Sequence, residues 1–129
     1  MKIITFLCTV LVLVGATQGV SAHDIGIGKS YSACMDHNED TMIGCITVEF
    51  KRQDVRLNKA YKALMAELPP PRKTALQEAQ RAWLKFRDAN CGFYNDPDGG
   101  SLALVNANDC MMTATAARAR ELEGFRQND

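Results

Sequence analysis

The chain has 129 residues, 47% hydrophobic and 23% charged, which is the composition of one folded domain and excludes wholesale disorder. Fifteen Lys plus Arg stand against fifteen Asp plus Glu, so the broad basic footprint of a nucleic-acid binder is absent. Five cysteines are an odd number in a small chain, and the N-terminus accounts for the extra one.

Lys2 gives a short positive start, Ile3 to Val14 is apolar, and Val20-Ser21-Ala22 puts small residues where signal peptidase cuts. This pattern predicts a secretory signal peptide over residues 1–22. The apolar run falls short of the roughly 20 residues of a membrane span, so no membrane attachment is expected after cleavage. No cysteine stands at the cleavage point to carry a lipid, which predicts a periplasmic or secreted protein. Cys8 leaves with the signal. Loss of Lys2 leaves 14 basic against 15 acidic side chains, a net charge of −1, on a single domain of residues 23–129.

Cys34, Cys45, Cys91 and Cys110 remain, an even number in an exported chain, and predict two disulfides. Spacing leaves all three pairings open. A four-thiolate zinc site is disfavoured because its ligands usually come in close pairs, and none of these gaps is short. Residues 23–30 form a glycine-punctuated leader expected to be flexible. Its Gly28-Lys29-Ser30 end is no phosphate loop, since His23 stands where the motif needs its first glycine.

Residues 30–37 predict a short helix. After the polar turn Asn38-Glu39-Asp40, Asp40 or Thr41 can cap a long helix. In that helix Ile43, Ile46, Phe50, Leu57, Tyr61, Leu64 and Leu68 share one stripe, and Lys51, Arg52, Arg56, Lys59 and Lys62 lie opposite. Pro69-Pro70-Pro71 ends it. The next helix starts near Pro71 and reaches Cys91 or Tyr94, with Leu76, Ala79, Trp83, Phe86 and Asn90 in phase. Asn95-Asp96-Pro97-Asp98-Gly99-Gly100 is a strong turn signal. A last helix starts at Ser101 or only at Asn108 and runs to about Gly124, with Met111, Thr115, Arg118 and Leu122 on one face. No segment alternates with the period of a strand. The expected fold is all-α: a small antiparallel bundle of three main helices plus a short leading one, with its core at about 31–125 and two disulfide staples.

Trp83, the single tryptophan, is expected to be a core anchor. Arg81 and Arg87 are expected to pair with acids such as Asp54 or Asp109. Asn58 and Tyr61 are expected to pack or hydrogen-bond within the helical hairpin. Arg52, Arg56 and Lys59 read as a solvated basic face in preference to a site for anionic polymer. His23 at a new N-terminus could chelate copper with His37, but two histidines without defined geometry define no metal site, and no cofactor is expected. The sequence shows no Ser/His/Asp constellation, no activated thiol and no carboxylate pair in an evident cleft, so the protein is not expected to be an enzyme.

The run Ala79-Gln80-Arg81-Ala82-Trp83-Leu84-Lys85-Phe86-Arg87-Asp88-Ala89-Asn90-Cys91 resembles the "QRAW…RDAxC" segment of the LprI family, exported bacterial proteins often called lysozyme-inhibitor-like. Leu57-Asn58-Lys59-Ala60-Tyr61-Lys62-Ala63-Leu64 is similar to that family's "LNxxYxxL" helix, and Cys34, Cys45 and Cys110 match its other cysteines. The resemblance spans about Tyr31 to Phe125. It implies a helical exported domain, with Asn58, Tyr61, Gln80, Arg81, Trp83 and Arg87 as its structural motif. It favours pairing Cys34 with Cys45 and Cys91 with Cys110. The rival pairs Cys45 with Cys91 and Cys34 with Cys110. The founding type of the family is a lipoprotein, and this chain lacks its lipid-bearing cysteine.

The activity implied by the resemblance is inhibition of c-type lysozyme, which would protect the bacterial cell wall. The candidate contact is the acidic turn with Asp96 and Asp98, backed by Phe93 and Tyr94. It would be attracted to the basic surface around a lysozyme cleft, and a plain solvated turn is the competing reading. The expected partner is c-type lysozyme or another muramidase, and the alternative function is a periplasmic interaction or stress module with a non-lysozyme partner. The sequence leaves the oligomeric state open.

Overall fold

Residues 25–37 and 42–127 are described in a computed structural model of the chain. The expected signal peptide, His23, the Asn38-Glu39-Asp40 turn and the capping residue lie outside them. Four helices follow in order: α1 (Lys29–His37), α2 (Met42–Glu67), α3 (Pro70–Phe93) and α4 (Gly100–Gln127). No strand occurs among the described residues. Of the two starts foreseen for the last helix, the structure adopts the earlier, and α4 is continuous.

The partners across α2 and α4 fix their direction. Ile46 packs near Met112, Arg56 pairs with Glu123, and Glu67 pairs with Arg126. Both series rise together, so α2 and α4 are parallel. Gln80 meets Arg118, Arg87 meets Thr115, and Cys91 meets Cys110. Here one series rises as the other falls, so α3 runs antiparallel to α4. The three-proline segment sets this up. Glu67 ends α2, and Pro70 and Pro71 supply the first turn of α3, where a missing N–H costs nothing.

The core lies mainly between α2 and α4, in two apolar clusters. One holds Ile46, Met112 and Ala116, and the other holds Leu57, Ala60, Leu64, Ala119 and Leu122. Ala116 and Ala119 are fully buried, and their small side chains let the two helices approach closely. Burial of a side chain such as Ile46, Met112 or Leu122 contributes about 1.5–3 kcal/mol. Between the clusters sit Gln53 and Thr115, polar and fully buried. The Thr115 hydroxyl donates to the Met111 carbonyl (2.7 Å) and accepts from Arg87 (3.3 Å), so both roles are filled.

The two disulfides are Cys34–Cys45 and Cys91–Cys110. The first ties α1 to the first turn of α2. The second ties the end of α3 to α4. The rival pairing needs the end of α3 beside the start of α2, whereas α3 packs chiefly on α4.

Three expectations are corrected. The segment before α1 is not a flexible leader: Ile25 and Ile27 are buried against Ile46, Met112 and Ala116. Its backbone is clamped by the supposedly solvated basic face. Arg52 and Gln53 both donate to the Gly26 carbonyl (2.7 and 2.9 Å), and Arg56 donates to the Ile25 carbonyl (2.6 Å). Gly26 has φ +82°, and a Cβ there would fall 2.5 Å from the Arg56 guanidinium, so glycine is required. Arg56 also makes a bidentate pair with Glu123 on α4 (2.8 and 2.6 Å).

The second correction is Phe86, which is 66% exposed. Because α3 packs mainly against α4, its buried arc is narrow and passes through Leu76, Gln80, Trp83, Arg87 and Cys91. Phe86 projects beside that arc. Thirdly, Arg87 pairs with its neighbour Asp88 (2.7 Å), not with Asp54 or Asp109.

Candidate functional site

The turn between α3 and α4 is built by local hydrogen bonds and held by the Cys91–Cys110 bridge. Past Phe93, the amides of Tyr94 and Asn95 still donate to the Cys91 and Gly92 carbonyls (3.2 and 3.1 Å), which finishes the helix. Asp96 then folds the turn. Its side-chain oxygen accepts from the Asp98 amide (2.9 Å), and its carbonyl accepts from the Gly99 amide (3.0 Å). A Cβ on Gly99 would stand 2.7 Å from the Ala103 Cβ, so only glycine lets the turn close onto α4.

This geometry presents four groups to solvent together. Phe93 is 84% exposed and Tyr94 is 48% exposed, and their rings meet edge to face at 6.1 Å. Asp96 and Asp98 are exposed directly after them. Leu102 and Leu104, near the start of α4, add apolar surface that their sequence positions alone do not mark. They lie on either side of the buried Ala103, so a helix that buries Ala103 turns both outward. Further along α4, Asp109 interacts electrostatically with Tyr31 of α1. Burial pushes the Asp109 carboxyl up, and Tyr31 offsets part of that rise.

The residues of the expected structural motif fall elsewhere. Trp83 is half-buried against the Leu57–Leu122 cluster, and the Arg87 and Arg118 guanidinium groups stand over its ring at 5.1 and 5.8 Å. Gln80 accepts from Arg118 (3.0 Å), and Arg118 also pairs with Glu121 (2.7 Å). Tyr61 packs on the same cluster. Asn58 donates to the Asp54 carbonyl and carboxylate (2.9 and 3.1 Å) on its own helix, and Arg81 is exposed.

A second buried polar group sits at the other end of the core. Glu49 is only 3% exposed. Burial alone would push its pKa up. Hydrogen bonds from Arg52 and Gln53, the Arg52 charge and the Gly28 amide outweigh it and hold the carboxyl below the usual glutamate value. This group fastens the Ile25–Gly28 segment to α2, and Glu49 also edges an open cavity of ≈ 380 Å³ with Ser30, Tyr31 and Val48. Among the described residues, no cluster of His, Cys, Asp or Glu could hold a metal ion, and no helix is long and apolar enough to cross a membrane.

A sequence model of the family described as "Lysozyme inhibitor LprI" matches residues 34–122. An uncharacterized protein of Rhizobium meliloti (strain 1021) is 30% identical over 61% of this chain and 67% of its own length. The uncharacterized protein YecT of Escherichia coli (strain K12) is 28% identical over 85% of this chain and 80% of its own. No solved structure matches the chain.

Proposed function

We propose, from the premise that this chain belongs to the LprI family, that it is an exported inhibitor of c-type lysozyme which uses the α3–α4 turn as its contact. The observation that carries this reading is the exposed Phe93–Tyr94 pair beside Asp96 and Asp98, on a turn anchored by a disulfide. Aromatic side chains are the common anchors of protein interfaces because they bury much apolar area at little entropic cost. Carboxylates at the rim steer association with a basic partner and lose that effect as salt rises. The bridge and the Asp96 turn hold these groups in place before binding, so less ordering entropy is lost on contact. The protein acts after removal of residues 1–22, in the periplasm or outside the cell, and works by occupying the lysozyme cleft without chemistry of its own.

The test is binding to immobilised c-type lysozyme. Phe93→Ala is expected to weaken affinity by about 2 kcal/mol, roughly 30-fold, mainly through faster dissociation. Asp96→Asn with Asp98→Asn is expected to slow association and flatten its salt dependence. Wild-type binding that neither change alters would remove the turn from the contact.

A further inference from the structure

The third helix carries an apolar face that the fold does not use. Ala75, Ala79, Ala82, Phe86, Ala89 and Phe93 recur at steps of four and three, the spacing of a seam between packed helices, and all six are exposed. The seam has a direction: small residues fill its first half, and both phenylalanines lie in the second. We propose that this seam pairs with the same seam of a second copy of this chain, antiparallel, about a two-fold axis near the middle of α3.

Three observations single out a second copy. The first is steric. With the axis between Ala82 and Phe86, Phe86 of each copy lies against Ala82 of the other, and Phe93 lies against Ala75. Ala75 and Ala79 edge a cleft of ≈ 340 Å³ that also has walls from Leu64, Leu68, Leu76 and Phe125. The projecting ring at one end of the seam thus finds at the other a mainly apolar hollow, which Arg72, Arg118 and Glu121 also line, twice, as a closed isologous contact requires.

The second is charge. Arg72 and Lys73 stand in the first turn of α3, and Asp96 and Asp98 follow its last turn. Each pair opposes the helix dipole, which favours anions at the N-terminus and cations at the C-terminus. Neither Arg72 nor Lys73 makes an ion pair among the described residues. Antiparallel pairing brings the basic end of each copy to the acidic end of the other.

The third is area. Phe86 and Phe93 are 66% and 84% exposed. Covering all four rings in a dimer removes about 600 Å² of surface, half of the ~1,200 Å² at the lower bound for specific interfaces, and the seam alanines and cleft walls add to it. An interface of this size is that of a weak, reversible dimer. It covers Phe93 and the acidic turn, so it excludes the lysozyme contact proposed above. Phe93, Asp96 and Asp98 belong to both contacts, so Ala82 and Phe86, which lie outside the turn, separate the two in the test.

The experiment is sedimentation velocity on the exported protein from about 1 to about 200 μM, a range in which a micromolar equilibrium shows both species. Wild type is expected to pass from monomer to dimer. Ala82→Glu and Phe86→Glu, both at exposed positions, should stay monomeric throughout with unchanged helical circular dichroism. Arg72→Glu with Lys73→Glu should weaken the dimer at least tenfold, and adding Asp96→Lys with Asp98→Lys should restore it. A wild type that remains monomeric at every concentration overturns the proposal. So does a dimer that survives Ala82→Glu or Phe86→Glu, or a charge swap that fails to restore association.

Discussion

Glu49→Ala probes how the segment before α1 is held. The Glu49 carboxylate accepts from Arg52 Nε (2.8 Å), Arg52 Nη2 (2.5 Å) and Gln53 Nε2 (2.7 Å). Removing it leaves Gln53 and Arg52 with the Gly26 carbonyl as a remaining acceptor. Each buried donor left unsatisfied costs about 1–3 kcal/mol. The Arg52 side chain is 47% exposed and regains water, so its share is small. A net loss of about 2–3 kcal/mol follows, which in a domain of this size lowers Tm by about 10–20 °C. Thermal and urea unfolding followed by circular dichroism, with both disulfides intact, measures it. The pH dependence gives a second check. The folded pKa of Glu49 is depressed, so its contribution is fully present above the unfolded value of 4.5 and disappears as pH falls through the folded pKa. The gap between wild type and Glu49→Ala should therefore be widest near neutrality and should narrow below pH 4.5. A loss under about 0.5 kcal/mol at neutral pH, within the range of ordinary surface changes, would refute the clamp, as would a gap that does not narrow in acid.

Other consequences follow from the same structure. Cys91→Ser with Cys110→Ser should lower unfolding free energy by about 3 kcal/mol in the chain-entropy account, read by urea denaturation. Leu122→Ala, at a fully buried site between α2 and α4, should cost about 2–5 kcal/mol by the same assay. Gly99→Ala should cost about 1–3 kcal/mol, because its new Cβ would stand 2.7 Å from Ala103 and the turn must shift. The proposed contact predicts that Gly99→Ala also weakens lysozyme binding, measured by calorimetry, since the same turn places Asp96 and Asp98.

Periodicity and punctuation made most of the helical layout legible. The long stripe of α2 and the three prolines after it placed the first boundary, and the Asp96–Gly100 signal placed the second. What remained hidden depends on which helix packs on which. A stripe shows which residues share a face, yet Phe86 and Trp83 are too close in angle for sequence to say which one a peripheral helix buries. The basic residues of α2 carried the same ambiguity. Arg52 and Arg56 look like any solvated face until the segment from Ile25 to Ile27 packs on the core and the Gly26 and Ile25 carbonyls accept from them. The acidic turn was visible because glycine, proline and aspartate mark it locally. Its apolar flank at Leu102 and Leu104 was not, because that depended on where α4 begins and which way Ala103 points.

Inhibition is read from the rate at which c-type lysozyme clears a suspension of bacterial cell walls as purified protein is added. A dose-dependent fall in rate is expected, relieved by Asp96→Asn with Asp98→Asn and by Phe93→Ala. Unchanged clearing by c-type, g-type and i-type lysozymes at micromolar excess of the protein would contradict it.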